Sequence, residues 1–160
     1  MPVSRARVRE MFTEVVADAK DKFGVDIRRD EYFSLTFSNT KRAAGQCNYT
    51  TKEVKISRHH IAVNDEDVVL ETIRHEVAHA LCPGQGHNDV WRRTLLKLGG
   101  TGAQYVCEEA NRPQHAWEVI DKTSGEVVAK YYRKPRRNFA TAYLRGRPET
   151  KGNLILRKVE

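Results

Sequence analysis

The chain has 160 residues, room for one domain with a small appendage, and its 39% apolar and 31% charged content excludes wholesale disorder, collagen-like sequence and low-complexity sequence. The net charge of +7 is unevenly placed: residues 1–111 hold 16 basic and 16 acidic residues, whereas residues 112–160 hold 12 and 5. This divides the chain into a neutral segment, 1–111, and a basic extension, 112–160, that is a candidate polyanion contact.

No apolar run approaches the ~18 residues of a membrane-spanning helix. The opening MPVSRARVREMF carries charges and no apolar core of a secretory signal, so an intracellular site, in the cytoplasm or beside DNA, is expected. Cys47, Cys82 and Cys107 are odd in number, widely spaced and without a C-x-x-C pair. That pattern argues against a disulfide framework and against a zinc ribbon.

Val8, Met11, Phe12, Val15, Val16, Ala19 and Phe23 recur at helical spacing between a capping Ser4 and a terminating Gly24, which predicts a helix over 5–23. Three short strands follow at 33–37, 45–49 and 53–57, read as a small antiparallel sheet. His59 and His60 come directly after the third strand and read as a loop edge. Asn64 then offers an N-cap, acidic residues 65–67 suit the positive end of a helix, and Pro83-Gly84 stops that helix near Leu81 or Cys82. A second helix starts at His87 or Asn88, shows Val90, Trp91, Leu95 and Leu98 as its apolar face, and ends at Gly99-Gly100. Beyond Gly102 the chain turns to strand signals: 105–107, a hairpin of 116–120 with 126–132, and a last strand over 153–159.

The first of these two helices carries His75-Glu76-Val77-Ala78-His79, an H-E-x-x-H motif. Histidines four apart project from one helical face and can bind one ion. Glu76 lies about 100° round the helix from His75, placed to reach a water without ligating the metal. On the same count Val69, Leu70, Ile73, Val77, Ala80 and Leu81 form an arc opposite the histidines, so one face packs inward and the other lines a cleft.

A catalytic zinc site wants a third protein ligand and an open position. His87 is the leading candidate, because the turn at residues 83–86 can fold the chain back and a helix N-terminus keeps an imidazole neutral. Glu71 and Cys82 are rivals on the ligand face, four residues before and seven after His75.

Several of these residues together resemble a known family. Thr40-Lys-Arg-Ala-Ala-Gly45-Gln-Cys-Asn-Tyr49, then Glu53-Val-Lys-Ile-Ser57, then HEVAHAL, then His87-Asn-Asp-Val-Trp91 with Leu98-Gly99 are similar to an SprT-like (Spartan-type) zinc metalloprotease domain. The resemblance implies an α+β fold with a zincin-like metallopeptidase core. It further implies one Zn²⁺ held by His75, His79 and His87, Glu76 as catalytic base, and DNA-dependent cleavage of proteins, including proteins crosslinked to DNA. Two positions depart from the pattern. Asn88 stands where the family usually has glycine, and only Cys107 matches the four-cysteine ribbon of many relatives, which leaves residues 112–160 as a metal-free β-rich ribbon.

In that extension Lys130, Arg133, Lys134, Arg136, Arg137, Arg145 and Arg147 fall within 18 residues, interleaved with Tyr131, Tyr132, Phe139 and Tyr143. Cations contact phosphates and aromatics stack on bases, so single-stranded or junction DNA without sequence preference is the expected partner, with Lys130, Arg133, Lys134, Arg136 and Arg137 as contacts. The competing reading of the run is a solvated ribbon face whose aromatics pack inward. For the whole chain, the rivals to a protease are a non-catalytic DNA-binding module with a structural zinc and a zinc hydrolase of small substrates.

Overall fold

The Ser4 hydroxyl accepts from the Arg7 N–H at 3.1 Å, and α1 runs over Arg5–Phe23 until Gly24 enters the left-handed region at φ 71°. Its buried residues are those the periodicity predicts from Val8 to Ala19, and only Phe23 is left partly exposed. The computed structural model describes residues 2–105 and 111–160, and within it the chain forms two compact units, Met1–Pro113 and Gln114–Glu160.

In the first unit, strands β1 (Ser34–Ser38), β2 (Gly45–Asn48) and β3 (Glu53–Ser57) form one sheet in the order β1-β3-β2. β2 and β3 are an antiparallel hairpin, but β1 pairs with β3 in parallel, so the expected all-antiparallel sheet is mixed. The hairpin is the reason. Asn48 Oδ1 accepts from the N–H groups of Thr50 and Thr51, both at 3.0 Å, and Lys52 turns at φ 55°. This tight return sends β3 back between its two neighbours, alongside β1 in the same direction.

The segment after β3 is helical, not a loop edge. Ser57 caps α2 (Arg58–Val63), which carries both His59 and His60, and His60 is buried. Asn64 ends this helix and does not cap the next one; Asp65 is the N-cap of α3 (Glu66–Leu81). The Asn64 side chain is engaged elsewhere, with its amide donating to the His60 carbonyl at 2.9 Å and to the Asn111 carbonyl at 3.0 Å. Val69, Ile73 and Val77 of α3 are fully buried with Val54 and Ile56 of β3, and α3 packs on α1, β2, β3 and α4.

α4 (Asp89–Lys97) starts from Asn88, whose Oδ1 accepts from the N–H groups of Val90 and Trp91 at 3.1 and 3.2 Å. Trp91, Leu95 and Leu98 are buried, whereas Val90 is 45% exposed and does not belong to the inner face. Val90 occupies the first turn, where Trp91 takes the inward position. Of the strand expected at 105–107, Tyr105 is exposed and outside any strand, and Val106 and Cys107 lie outside the described residues.

The second unit is a three-stranded antiparallel sheet of β4 (Trp117–Asp121), β5 (Val127–Tyr131) and β6 (Leu154–Lys158) in the order β5-β4-β6. Val119, Phe139, Ala142 and Leu154 are its own small core. The molecule is thus a mixed α+β protein with small sheets. Among the described residues no helix is long and apolar enough to cross a membrane.

Candidate metal centre

Helix α3 presents His75 and His79 one turn apart. After its end, the chain reverses through Gly84 and Gly86, which adopt φ 78° and 60°, values that side chains rarely tolerate. The reversal brings His87 back to α3. Its Nε2 lies 3.1 Å from Nε2 of His75 and 3.1 Å from Nε2 of His79. Among the described residues these three are the group whose ligand atoms all lie within 4.8 Å of one another.

The donor set fits zinc. Two imidazole nitrogens bound tetrahedrally at ~2.0–2.1 Å stand about 3.3 Å apart, close to the observed spacing. The rings must also be neutral to ligate. Burial, helped by the neighbouring His79 and His87, pushes His75 down to about 3, and burial with the His87 neighbour pushes His79 down to about 4. Both rings are therefore unprotonated at neutral pH without any metal to displace the proton.

Trp91 organises the three rings. Its centroid is 4.7 Å from His75, 5.2 Å from His79 in a stacked arrangement, and 4.6 Å from His87. It is 1% exposed, and its indole N–H points at the His75 carbonyl at 3.5 Å. The helical pattern places Trp91 in the core; only the tertiary structure shows that this core position is the floor of the histidine cluster. Tyr49 supports the same helix from the other side, donating its hydroxyl to the His79 carbonyl at 2.8 Å.

The rival ligands are occupied differently. Glu71 accepts from both the N–H and the hydroxyl of Thr101 at 2.9 Å, which ties α3 to the chain after α4. Cys82 donates to the Ala78 carbonyl at 2.9 Å. Neither joins the cluster.

Glu76 is 6% exposed and faces β2. Burial pushes its carboxyl up to about 8, with the Cys47 backbone pulling the other way. The polar side of α3 is not open along its length: Glu71, Thr72, His75 and Glu76 are buried as well as Val69, Ile73, Val77 and Ala80 of the apolar arc, whose Leu70 and Leu81 are partly buried, because β2 and α4 cover that side. The opening is a local cleft of about 400 Å³ lined by β2 residues Gly45, Gln46 and Cys47, by Glu76 and by the three histidines. Cys47 is not part of the three-histidine group, and burial pushes its thiol up to about 12.

In the second unit Lys130, Arg133, Lys134, Arg136 and Arg137 are all exposed. Lys134 Nζ sits 5.3 Å from the Trp117 ring. The interleaved aromatics divide: Phe139 is buried with its ring 6.4 Å from Tyr131, while Tyr143 is 51% exposed. Arg147 is engaged with Asp121, Glu126 and Glu149 at 3.4, 3.7 and 3.6 Å, and Arg157 is paired with Glu118.

Neither the curated proteins nor the solved structures contain a match to this chain. The model of the SprT-like family does match, over residues 8–112. That span holds α1 from Val8 onward, the mixed sheet, the three converging histidines and Glu76, and with it the chain belongs to the SprT-like family, a family related to zinc metalloproteases.

Proposed function

We propose that this protein is a zinc-dependent metalloprotease of zincin-like core that hydrolyses proteins associated with DNA. One observation carries the reading: three imidazoles converge within 4.8 Å in the same cleft as a buried carboxylate that is not one of their ligand set. His75, His79 and His87 would hold one zinc per chain. When bound, zinc supplies Lewis acidity toward a carbonyl and acidifies water.

The remaining steps belong to the chain's own groups. Trp91 keeps the imidazoles in place. Glu76 takes a proton from water as its oxygen adds to the scissile carbonyl carbon. It then returns that proton to the amide nitrogen as the C–N bond breaks, so the amine leaves neutral. A carboxyl pushed toward neutral pH by burial suits a group that must both accept and release a proton.

The basic unit gives the reading its substrate class. Its exposed cations suit phosphate contacts that hold the protein on DNA without reading sequence. The alternative, a DNA-binding module with a structural zinc, leaves the buried Glu76 beside the histidines without a purpose.

The test is hydrolysis of a DNA-bound protein and of a free peptide, with and without single-stranded DNA, for wild type and Glu76→Gln. Glu76→Gln should keep zinc and lose about 10²–10⁴-fold in rate, the worth of a positioned acid–base group. DNA should raise the rate on the bound protein more than on the peptide. An unimpaired Glu76→Gln enzyme would refute the base assignment.

A further inference from the structure

The Glu76 side chain lies against the backbone of a strand. A β-carbon placed on Gly45 of β2 would stand 2.9 Å from Glu76 Cγ, 3.0 Å from Glu76 Oε1 and 3.0 Å from Thr72 Cγ2. Carbon atoms in comfortable contact are ~3.5–4.0 Å apart, so no side chain fits there without moving Glu76 or Thr72. The glycine is not required by its backbone angles: Gly45 is not among the positive-φ residues, and it pairs in register with Ile56. A strand glycine costs stability, and close approach of another group is the usual reason for one.

The Thr72 half of this seat is held from behind. Thr72 Oγ1 donates to the Val68 carbonyl at 3.1 Å and lies 2.9 Å from His60 Nε2. A hydroxyl has one hydrogen and two lone pairs, so with that hydrogen on the Val68 carbonyl the His60 contact is completed by Nε2–H donating to Thr72. His60 Nδ1 lies 3.1 Å from the Asn64 amide nitrogen, which also donates to the His60 and Asn111 carbonyls. Rotating Thr72 would break both of these buried contacts, and its methyl stays turned toward Gly45. Thr72 and Glu76 are four apart on α3, so their side chains share one face.

We propose that Gly45 is a positioning residue for Glu76. Its missing side chain lets β2 press on the Thr72–Glu76 face of α3 and hold the carboxylate at the cleft wall, with His60 and Thr72 as the fixed backing. The proposal rests on Glu76 being the general base.

The experiment compares wild type, Gly45→Ala, Gly45→Ala/Thr72→Ser and Glu76→Gln for zinc content, for kcat and KM on a peptide, and by crystal structure. Gly45→Ala should keep its zinc, because the atoms nearest the added methyl belong to Glu76 and Thr72 and not to a histidine. Its kcat should fall about 10²-fold, the order expected for a catalytic group displaced by ~1 Å, with KM little changed. Its crystal structure should show the Glu76 carboxylate moved. Thr72→Ser removes one of the three crowding atoms and keeps the hydroxyl between His60 and Val68, so the added methyl can shift toward the space vacated and away from Glu76, and the double variant should regain part of the loss and be the better folded of the two. Unchanged kcat in Gly45→Ala, loss of kcat with Glu76 in place, loss of zinc in step with kcat, or insolubility of both variants would each overturn the proposal. An active Glu76→Gln overturns the base assignment instead, and the Glu76 position in the Gly45→Ala crystal still reports on the seat.

Discussion

In residues 1–113 the chemically important polar groups are buried and converge, while in residues 114–160 they are exposed and spread along the surface. His60, His75 and Glu76 are each under a tenth exposed, and all three are pushed by burial toward their uncharged forms. Arg133, Lys134, Arg136 and Arg137 are exposed to water. The second unit also buries two carboxylates, Glu118 and Asp121, but pairs them with Arg157 and Arg147. Those two arginines thereby serve the ribbon itself, which leaves Lys130, Arg133, Lys134, Arg136, Arg137 and Arg145 as the exposed cations of the run. The contrast is instructive about mechanism. A buried, convergent site fails when one member is lost, because its partners cannot fall back on water. An exposed cationic surface loses affinity by increments.

The largest expected effect is a single substitution in the first unit. His87→Ala should take zinc content after dialysis from one per chain to nearly none, with DNA affinity at fixed salt unchanged. Retained zinc in this variant, with loss on Cys82→Ala, would move the third ligand to Cys82. A fall in DNA affinity would break the division of labour between the units.

Next in size is the pH dependence of the zinc-free chain. Burial lowers His60 and His79 from 6.5 to about 4 and His75 to about 3. As pH falls below 6.5 the unfolded chain therefore takes up imidazole protons that the folded chain refuses, and stability falls toward pH 4. Glu76 has the opposite sign: raised from 4.5 to about 8, it stays protonated in the fold after the unfolded chain has ionised, so its contribution is lost as pH rises through 8. At about pH 5.5 three imidazole protons of the unfolded state outweigh one carboxyl proton of the folded state, and stability rises with pH. Above 6.5 only the carboxyl counts. Thermal melting of zinc-stripped protein between about pH 5 and 8 should thus peak near 6.5. A flat profile would mean the cluster is not buried as described.

The smallest effect per residue belongs to the basic run. Replacing Arg133, Lys134, Arg136 and Arg137 together with Ala should flatten the slope of log affinity against log salt by about 3 for single strands if all four contact phosphate. Zinc content should not change. Each single replacement should remove about a quarter of that difference. Equal slopes for wild type and the quadruple variant would identify the run as a solvated face.

Helix α1, its two caps and its buried stripe were legible in the sequence, as were the hairpin of β4 with β5 and the strand β6. So was the H-E-x-x-H pair, because i,i+4 spacing on a helix is a local matter that residue order dictates directly. The sequence also marked His87 among three possible third ligands. What it could not carry were relations between segments far apart in the chain. Alternation identifies a strand but not its neighbour, so the position of β3 between β1 and β2 emerged only when the hairpin returned it there. His60 reads as a loop residue until its Nε2 is found 2.9 Å from the hydroxyl of Thr72, twelve positions on, inside the core. Trp91 reads as ordinary core until three histidine rings are found packed on it. That His87, and neither Glu71 nor Cys82, lies beside His75 and His79, and that Gly45 lies against Glu76, are likewise matters of packing. Local periodicity and capping depend on neighbours along the chain, whereas the site depends on which surfaces exclude water together, and that is decided by the tertiary structure alone.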